Sequence, residues 1–122
     1  DKARESFVKF ANEAFVEELL PVLQNFERAI GNKEAWEKID KNWRTGMEHI
    51  YSQFRAALLK SGISFIEPKV GDAFDPGKHA SVGAIPVSVQ TEDHTVREGV
   101  EKGFALHGKI IEPAKVKVGE YQ

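Results

Sequence analysis

The apolar residues in the first quarter of the chain recur at the spacing of a packed helix. Between residues 15 and 29 they stand at steps of four, three, four and three, so that one narrow stripe is buried. Earlier apolar residues keep helical spacing in a shifted phase, and the pattern predicts one helix over residues 3–30. Pro21 predicts a kink near residues 17–21, because an interior proline removes a backbone hydrogen bond; the alternative is a helix that restarts there with proline in its first turn.

A second helical stripe follows the stop signal Gly31-Asn32-Lys33 and ends at Ser61-Gly62. It runs from Trp36 through Trp43 to Leu58, and we expect one unbroken helix of more than six turns with both tryptophans on one core face. Two such helices form an antiparallel hairpin, which covers only one side of each stripe. The uncovered sides predict a symmetric dimer that completes a four-helix bundle; the alternative is a monomer whose C-terminal half folds back over them. The predicted dimer interface consists of Phe15, Leu19, Val22, Phe26, Trp43, Ile50 and Phe54.

After Gly62 the periodicity changes to the short alternating and β-branched runs that are typical of strands. We expect strands over residues 63–66, 82–89, 95–106 and 109–118, with His107-Gly108 as a hairpin turn between the last two. The predicted fold class is therefore α+β. A helical dimerisation region over residues 1–62 precedes a small β domain over residues 63–122.

The segment Asp75-Pro76-Gly77 has the composition of a tight turn, in which aspartate accepts from backbone amides, proline restricts φ and glycine supplies a positive φ. Phe74, directly before this turn, is either tucked into the sheet or held out for a partner, and the residues alone leave both interpretations open. His79 lies four residues after Asp75, which predicts a structural hydrogen bond between the two. Each histidine is otherwise interpreted as an ordinary surface or turn residue.

The composition argues against several classes of function. Seventeen basic and nineteen acidic residues produce no field suited to nucleic acid or to a membrane surface, and no apolar run approaches the roughly 20 residues of a membrane span. The absence of cysteine excludes disulfides, thiolate ligands and cysteine nucleophiles. The histidines lack metal-binding spacing, and no serine elbow or phosphate-binding glycine motif is present. We therefore expect no enzymatic activity, no metal and no bound nucleotide or other cofactor.

Four segments of the chain carry a family resemblance. They are LLPVLQNFERA at residues 19–29, TGME at residues 45–48, FDPGKH at residues 74–79 and GFALHGKIIEPAKVKV at residues 103–118. In this order they resemble the GrpE family, the nucleotide exchange factors of DnaK-type chaperones. The resemblance implies a cytoplasmic homodimer, or one in an organelle matrix of bacterial descent. Its β domain would bind the chaperone's ATPase domain and accelerate ADP release by stabilising the open cleft.

The resemblance also implies a set of chaperone-binding residues. From the residues alone, a glycine inside a helix favours close helix packing, and an arginine on a polar helix face is equally a solvated side chain. The family motifs place partner contacts at Arg28, Gly46, Phe74, Pro76, Val100 and Val118.

The chain departs from the family at two positions, Ser81 in place of alanine and Glu112 in place of the usual arginine. The second change reverses a charge, so no contact of that basic position carries over to this chain. We expect the chain to be a fragment, since it opens at Asp1 inside a helical pattern and without an initiator methionine. The alternative function is a dimeric scaffold or adaptor whose β domain docks another protein, because only the motifs distinguish the two.

Overall fold

The computed structural model describes residues 1–11 and 13–122, and the chain divides into two compact units, Asp1–Ile63 and Ser64–Gln122. The helices are α1 (Lys2–Phe10), α2 (Glu13–Gly31), α3 (Lys33–Glu37) and α4 (Lys41–Lys60). The strands are β1 (Ile63–Ile66), β2 (His79–Val87), β3 (Val96–Glu101), β4 (Gly103–Leu106), β5 (Lys109–Glu112) and β6 (Ala114–Tyr121). Long helices followed by β-sheets confirm the predicted α+β class.

The first predicted helix is described as α1 and α2. Asn12, where the prediction requires the two to be continuous, lies outside the described residues. α2 begins eight residues before Pro21 and runs through it, so the alternative in which a helix restarts at this proline is wrong. Leu20 and Leu23 on either side of the proline are buried, and this packing offsets the lost backbone hydrogen bond.

The second predicted helix is divided into α3 and α4, which corrects the expectation of one unbroken helix. Asn32 caps α3, and Asp40 caps α4 by accepting the backbone N–H two residues further on at 3.1 Å. With φ −50° and ψ 136°, Asp40 also takes the backbone out of the helical region. The prediction that the tryptophans share one core face is wrong as well, since Trp36 in α3 is 9% exposed and Trp43 in α4 is 70% exposed.

Several core residues of the helical unit come one position after residues of the predicted apolar stripe in the sequence. α2 packs against both α3 and α4. The ring of Phe26 on α2 stacks against Tyr51 on α4 with centroids 6.3 Å apart, and the Tyr51 hydroxyl donates to Glu27 Oε2 at 3.0 Å. The buried apolar residues of these helices are Val16, Leu20, Leu23, Trp36 and Leu58. Val16, Leu20 and Leu23 directly follow Phe15, Leu19 and Val22 in sequence, and the latter three remain wholly or partly accessible within one chain.

The described strands form two three-stranded sheets, ordered β1-β4-β5 and β2-β6-β3. β6 is central in the second sheet, parallel to β2 and antiparallel to β3. Predicted strand 95–106 is divided into β3 and β4 at Lys102, and predicted strand 109–118 into β5 and β6 at Pro113. At both divisions the chain passes from one sheet to the other. A Cβ at Gly103 would lie 2.4 Å from the backbone nitrogen of Ala114, so glycine lets the two crossing points meet backbone to backbone.

The predicted turn at His107-Gly108 is confirmed as the connection between β4 and β5. Both residues have positive φ, 47° and 84°, as the tight two-residue hairpin turn requires. Predicted strand 82–89 is observed three residues earlier at its start, since β2 begins at His79. The β unit is built around buried Val96, Phe104, Leu106, Ala114 and Val116.

Candidate partner-binding site

Four hydrogen bonds that involve Asp75 close the turn from Phe74 to His79. Its carbonyl oxygen accepts from the backbone N–H groups of Lys78 at 2.9 Å and His79 at 2.7 Å. Its carboxylate oxygen Oδ1 accepts from the backbone N–H of Gly77 at 2.9 Å. The backbone N–H of Asp75 donates to His79 Nδ1 at 3.0 Å. The backbone N–H groups of Asp75, Gly77, Lys78 and His79 are therefore all hydrogen-bonded within the turn.

Two predictions about this turn are decided by these bonds. The structural hydrogen bond between Asp75 and His79 is confirmed, although it uses the Asp75 amide and not its carboxylate. The expected positive φ at Gly77 is wrong, because the described glycines with positive φ are Gly62, Gly71 and Gly108. Bonds from residues three and four positions on to one carbonyl give the turn a helical sense, which needs no left-handed residue.

Phe74 is half-buried, between the two predicted positions. Its backbone N–H donates to the carbonyl of His94 at 3.1 Å, and its ring centroid lies 5.9 Å from that of His79 with the planes 47° apart. Pro76, two residues further on, is exposed. One edge of the phenyl ring is thus supported by the β unit while part of its surface remains accessible.

The position of two further predicted contact residues of the β unit, Val118 and Val100, is given by strand β3 and its pairing. Val118 is half-buried and pairs with Val96 at the start of β3, and His94, which accepts from Phe74, lies two residues before Val96. Val100 is 50% exposed and lies four residues further along β3, roughly 13 Å at ~3.3 Å per residue. The strand pairing therefore brings Phe74 and Val118 towards one end of β3 and leaves Val100 nearer the other.

Arg28 and Gly46 lie on the helical unit. Arg28 is exposed in the last turn of α2, and its Nη1 donates to Asn25 Oδ1 at 2.7 Å. Gly46 lies inside α4, and a Cβ built on it would meet nothing within 4 Å. Close packing against another helix is the ordinary reason for such a glycine, but no described part of this chain approaches it.

The residues predicted to form the dimer interface are accessible in the single chain. Phe15, Val22, Trp43 and Ile50 are each more than half exposed, and Leu19, Phe26 and Phe54 are half-buried. Exposed apolar side chains of this size and number are unusual on the surface of a monomeric protein.

The polar surface of the sheet β2-β6-β3 carries ion pairs between neighbouring strands. Lys117 lies 3.2 Å from Glu98 and Lys115 lies 3.4 Å from Glu101. Exposed pairs of this kind contribute little stability, and here they also balance positive and negative charge. Within residues 1–11 and 13–122, no group of three acidic or histidine side chains is placed to hold a metal ion, and no helix has the length and apolarity to cross a membrane.

The sequence interpretation missed the part played by His79. It is 8% exposed, which corrects its interpretation as an ordinary surface or turn histidine. The signal was present in its spacing of four residues from Asp75, but spacing alone does not show which nitrogen of the ring accepts, or from which group.

The comparisons with known proteins agree with the resemblance. The family model described as GrpE matches residues 1–120. Protein GrpE of Thermotoga neapolitana is 35% identical over 117 residues, which cover 96% of this chain and 66% of the relative. The proteins of the same name from Halalkalibacterium halodurans and Vibrio harveyi are 37% and 38% identical, over 94% and 98% of this chain and 58% of each relative. The chain spans between half and two thirds of the length of these relatives, and because the match runs along nearly all of it, the chain belongs to the GrpE family.

Proposed function

We propose that this chain acts as a co-chaperone that binds the ATPase domain of a DnaK-type chaperone and accelerates the release of ADP. The observation that carries this proposal is the GrpE family match over residues 1–120. The exposure of the motif residues supports it, since Arg28, Gly46, Pro76 and Val100 are all exposed and Phe74 is partly so. A protein surface that meets a partner must offer such accessible side chains.

The physical basis of the exchange is linkage. A protein that binds the open, nucleotide-free form of a cleft more tightly than the closed form must weaken nucleotide binding by the same factor. A ~1000-fold effect requires about 4 kcal/mol of differential binding. A few apolar anchors such as Phe74, together with a helix contact near Gly46, are sufficient for this magnitude.

We further propose that the active form is a homodimer. The uncovered apolar face of α2 and α4 includes Phe15, Val22, Trp43 and Ile50, and an isologous contact with a second copy removes the same residues from water on both chains. The resulting four-helix bundle would hold the two copies of the chain together.

The test is the rate at which a fluorescent ADP analogue leaves a DnaK-type chaperone on mixing with excess unlabelled nucleotide. We expect the wild-type chain to accelerate release in a saturable way. Phe74→Ala removes a ring that is held beside the turn and partly accessible, and a buried interface anchor of this type is worth ~2 kcal/mol or more, or roughly a 30-fold rise in the half-saturating concentration. Val89→Ala is the matched control, because Val89 is 48% exposed in the same unit and lies outside the proposed site.

Two results would count against these assignments. A folded, dimeric wild-type chain that neither accelerates release nor binds the chaperone would overturn the exchange function and favour the scaffold. A Phe74→Ala variant that loses its fold or its dimer would show that Phe74 belongs to the core and not to the contact.

A further inference from the structure

The ring of His79 touches the turn before it at two points. Nδ1 accepts the backbone N–H of Asp75 at 3.0 Å, and the ring lies 5.9 Å from the ring of Phe74, centroid to centroid. His79 is 8% exposed, so most of its surface is packed against protein and not solvent. We propose that His79 is a positioning residue that sets where Phe74 and Pro76 stand for the chaperone, an assignment that rests on the proposed function.

The backbone donors of the turn explain why an acceptor is needed at this place. The amides of Gly77, Lys78 and His79 are all satisfied by oxygens of Asp75. Pro76 has no N–H, and the amide of Asp75 has no acceptor of its own inside the turn. The imidazole of His79 supplies that acceptor, in a bond that is partly buried.

The backbone of His79 is itself held by the sheet β2-β6-β3. It is the first residue of β2 and pairs with Ala114 of β6, and the backbone N–H of Ala114 donates to the carbonyl of Lys78 at 2.9 Å. The ring therefore reaches back four residues from a fixed strand and holds the peptide between Phe74 and Asp75. A change in the acceptor moves that peptide, and with it the phenyl ring on one side and the proline on the other.

His79 can hold the turn in this way only if its accepting nitrogen Nδ1 lies at the right distance and carries no proton. Nδ1 accepts only in the neutral ring whose proton is on Nε2. Asparagine carries an oxygen at the same number of bonds from Cβ as Nδ1. Glutamine places its amide oxygen one bond further, at the distance of Nε2. His79→Asn and His79→Gln are therefore a matched pair that differ in where the acceptor lies.

The experiment measures both variants and the wild-type chain in two ways. Hydrogen exchange of the Asp75 amide, followed by NMR, reports whether the bond is made; the half-saturating concentration for ADP release reports the contact with the chaperone. We expect His79→Gln to lose protection of the Asp75 amide and to raise the half-saturating concentration about fivefold, the effect of one net hydrogen bond. We expect His79→Asn to stay within about twofold of wild type in both readouts. Dimer mass and helical circular dichroism should be unchanged in both variants.

Three results would overturn the proposal. Equal impairment of the two variants would show that ring packing matters and not the acceptor. Loss of amide protection in His79→Gln with normal release kinetics would show that the bond does not position the contact. If His79→Gln does not fold, the ring nitrogen resonances of the wild-type chain decide, since a protonated Nδ1 excludes the bond. A wild-type chain that does not accelerate release would remove the chaperone from the proposal along with the proposed function, and the amide measurement would still show separately whether His79 holds the turn.

Discussion

Replacing Gly46 with alanine separates the two reasons for a glycine inside α4. The added methyl group meets nothing within 4 Å among residues 1–11 and 13–122, so the substitution has no steric cost against these residues. A helix interior favours alanine over glycine by about 1 kcal/mol. For a unit of this size, such a gain corresponds to a rise in Tm of about 4–8 °C.

The effect on exchange should have the opposite sign. If the chaperone approaches the backbone of α4 at Gly46, a methyl group in that contact overpacks it and costs about 1–3 kcal/mol. The half-saturating concentration for ADP release should then rise about tenfold. A more stable protein that is a weaker exchange factor is not expected from a glycine that serves only the fold.

The assay pairs thermal unfolding, followed by circular dichroism, with the ADP-release measurement. Gly31→Ala is the matched control, because a Cβ on Gly31 at the end of α2 also meets nothing within 4 Å, and it should leave release unchanged. A lower Tm or a lost dimer in Gly46→Ala would refute this reasoning, because it would show that Gly46 packs closely against a second copy of the chain. A higher Tm with normal release would show that the chaperone does not approach this glycine.

Three further substitutions test the packing of each unit. Gln24 is 8% exposed and its Nε2 has no hydrogen-bond partner in the described part of the chain, so Gln24→Leu should stabilise the helical unit by about 1 kcal/mol in urea unfolding. A loss of stability would show that the amide is paired in the dimer. Ile50→Glu should convert the dimer to monomer by sedimentation equilibrium, whereas Val70→Glu on an exposed site of the β unit should not. Gly103→Ala should destabilise the β unit by more than about 3 kcal/mol, because its Cβ would lie 2.4 Å from backbone; near wild-type stability would show that the crossing relaxes.

Local patterns determined much of this fold. Two local signals predicted long helices followed by strands: the helical periodicity of residues 15–29 and the stop signal Ser61-Gly62. The structure has this order. His107-Gly108 predicted its hairpin turn because positive φ at two adjacent residues is a local backbone preference. The ordered motifs predicted the GrpE family, which the family match confirms. Each of these signals depends on residues that are near one another in sequence.

Tertiary structure alone decided the features that depend on distant partners. Lys102 and Pro113 each separate two strands by a single residue, and only pairing with other strands shows that the chain changes sheet there. Trp36 and Trp43 have the spacing of one face, but the cap at Asp40 places them on separate helices with different burial. Periodicity fixes the direction in which a side chain points along its own element, and it carries no information about which element lies opposite.

The candidate site shows the same division. Local sequence predicted a turn at residues 75–77 and a bond between Asp75 and His79, since both involve residues no more than four positions apart. The local sequence did not predict that His79 is buried or that Phe74 is half-buried. They follow from the pairing of β2 with β6 and from the bond of Phe74 to His94, twenty residues away in the chain. The sequence by itself determined the order of helices and strands and the family; long-range hydrogen bonding and packing decided where the elements divide and which of their residues meet.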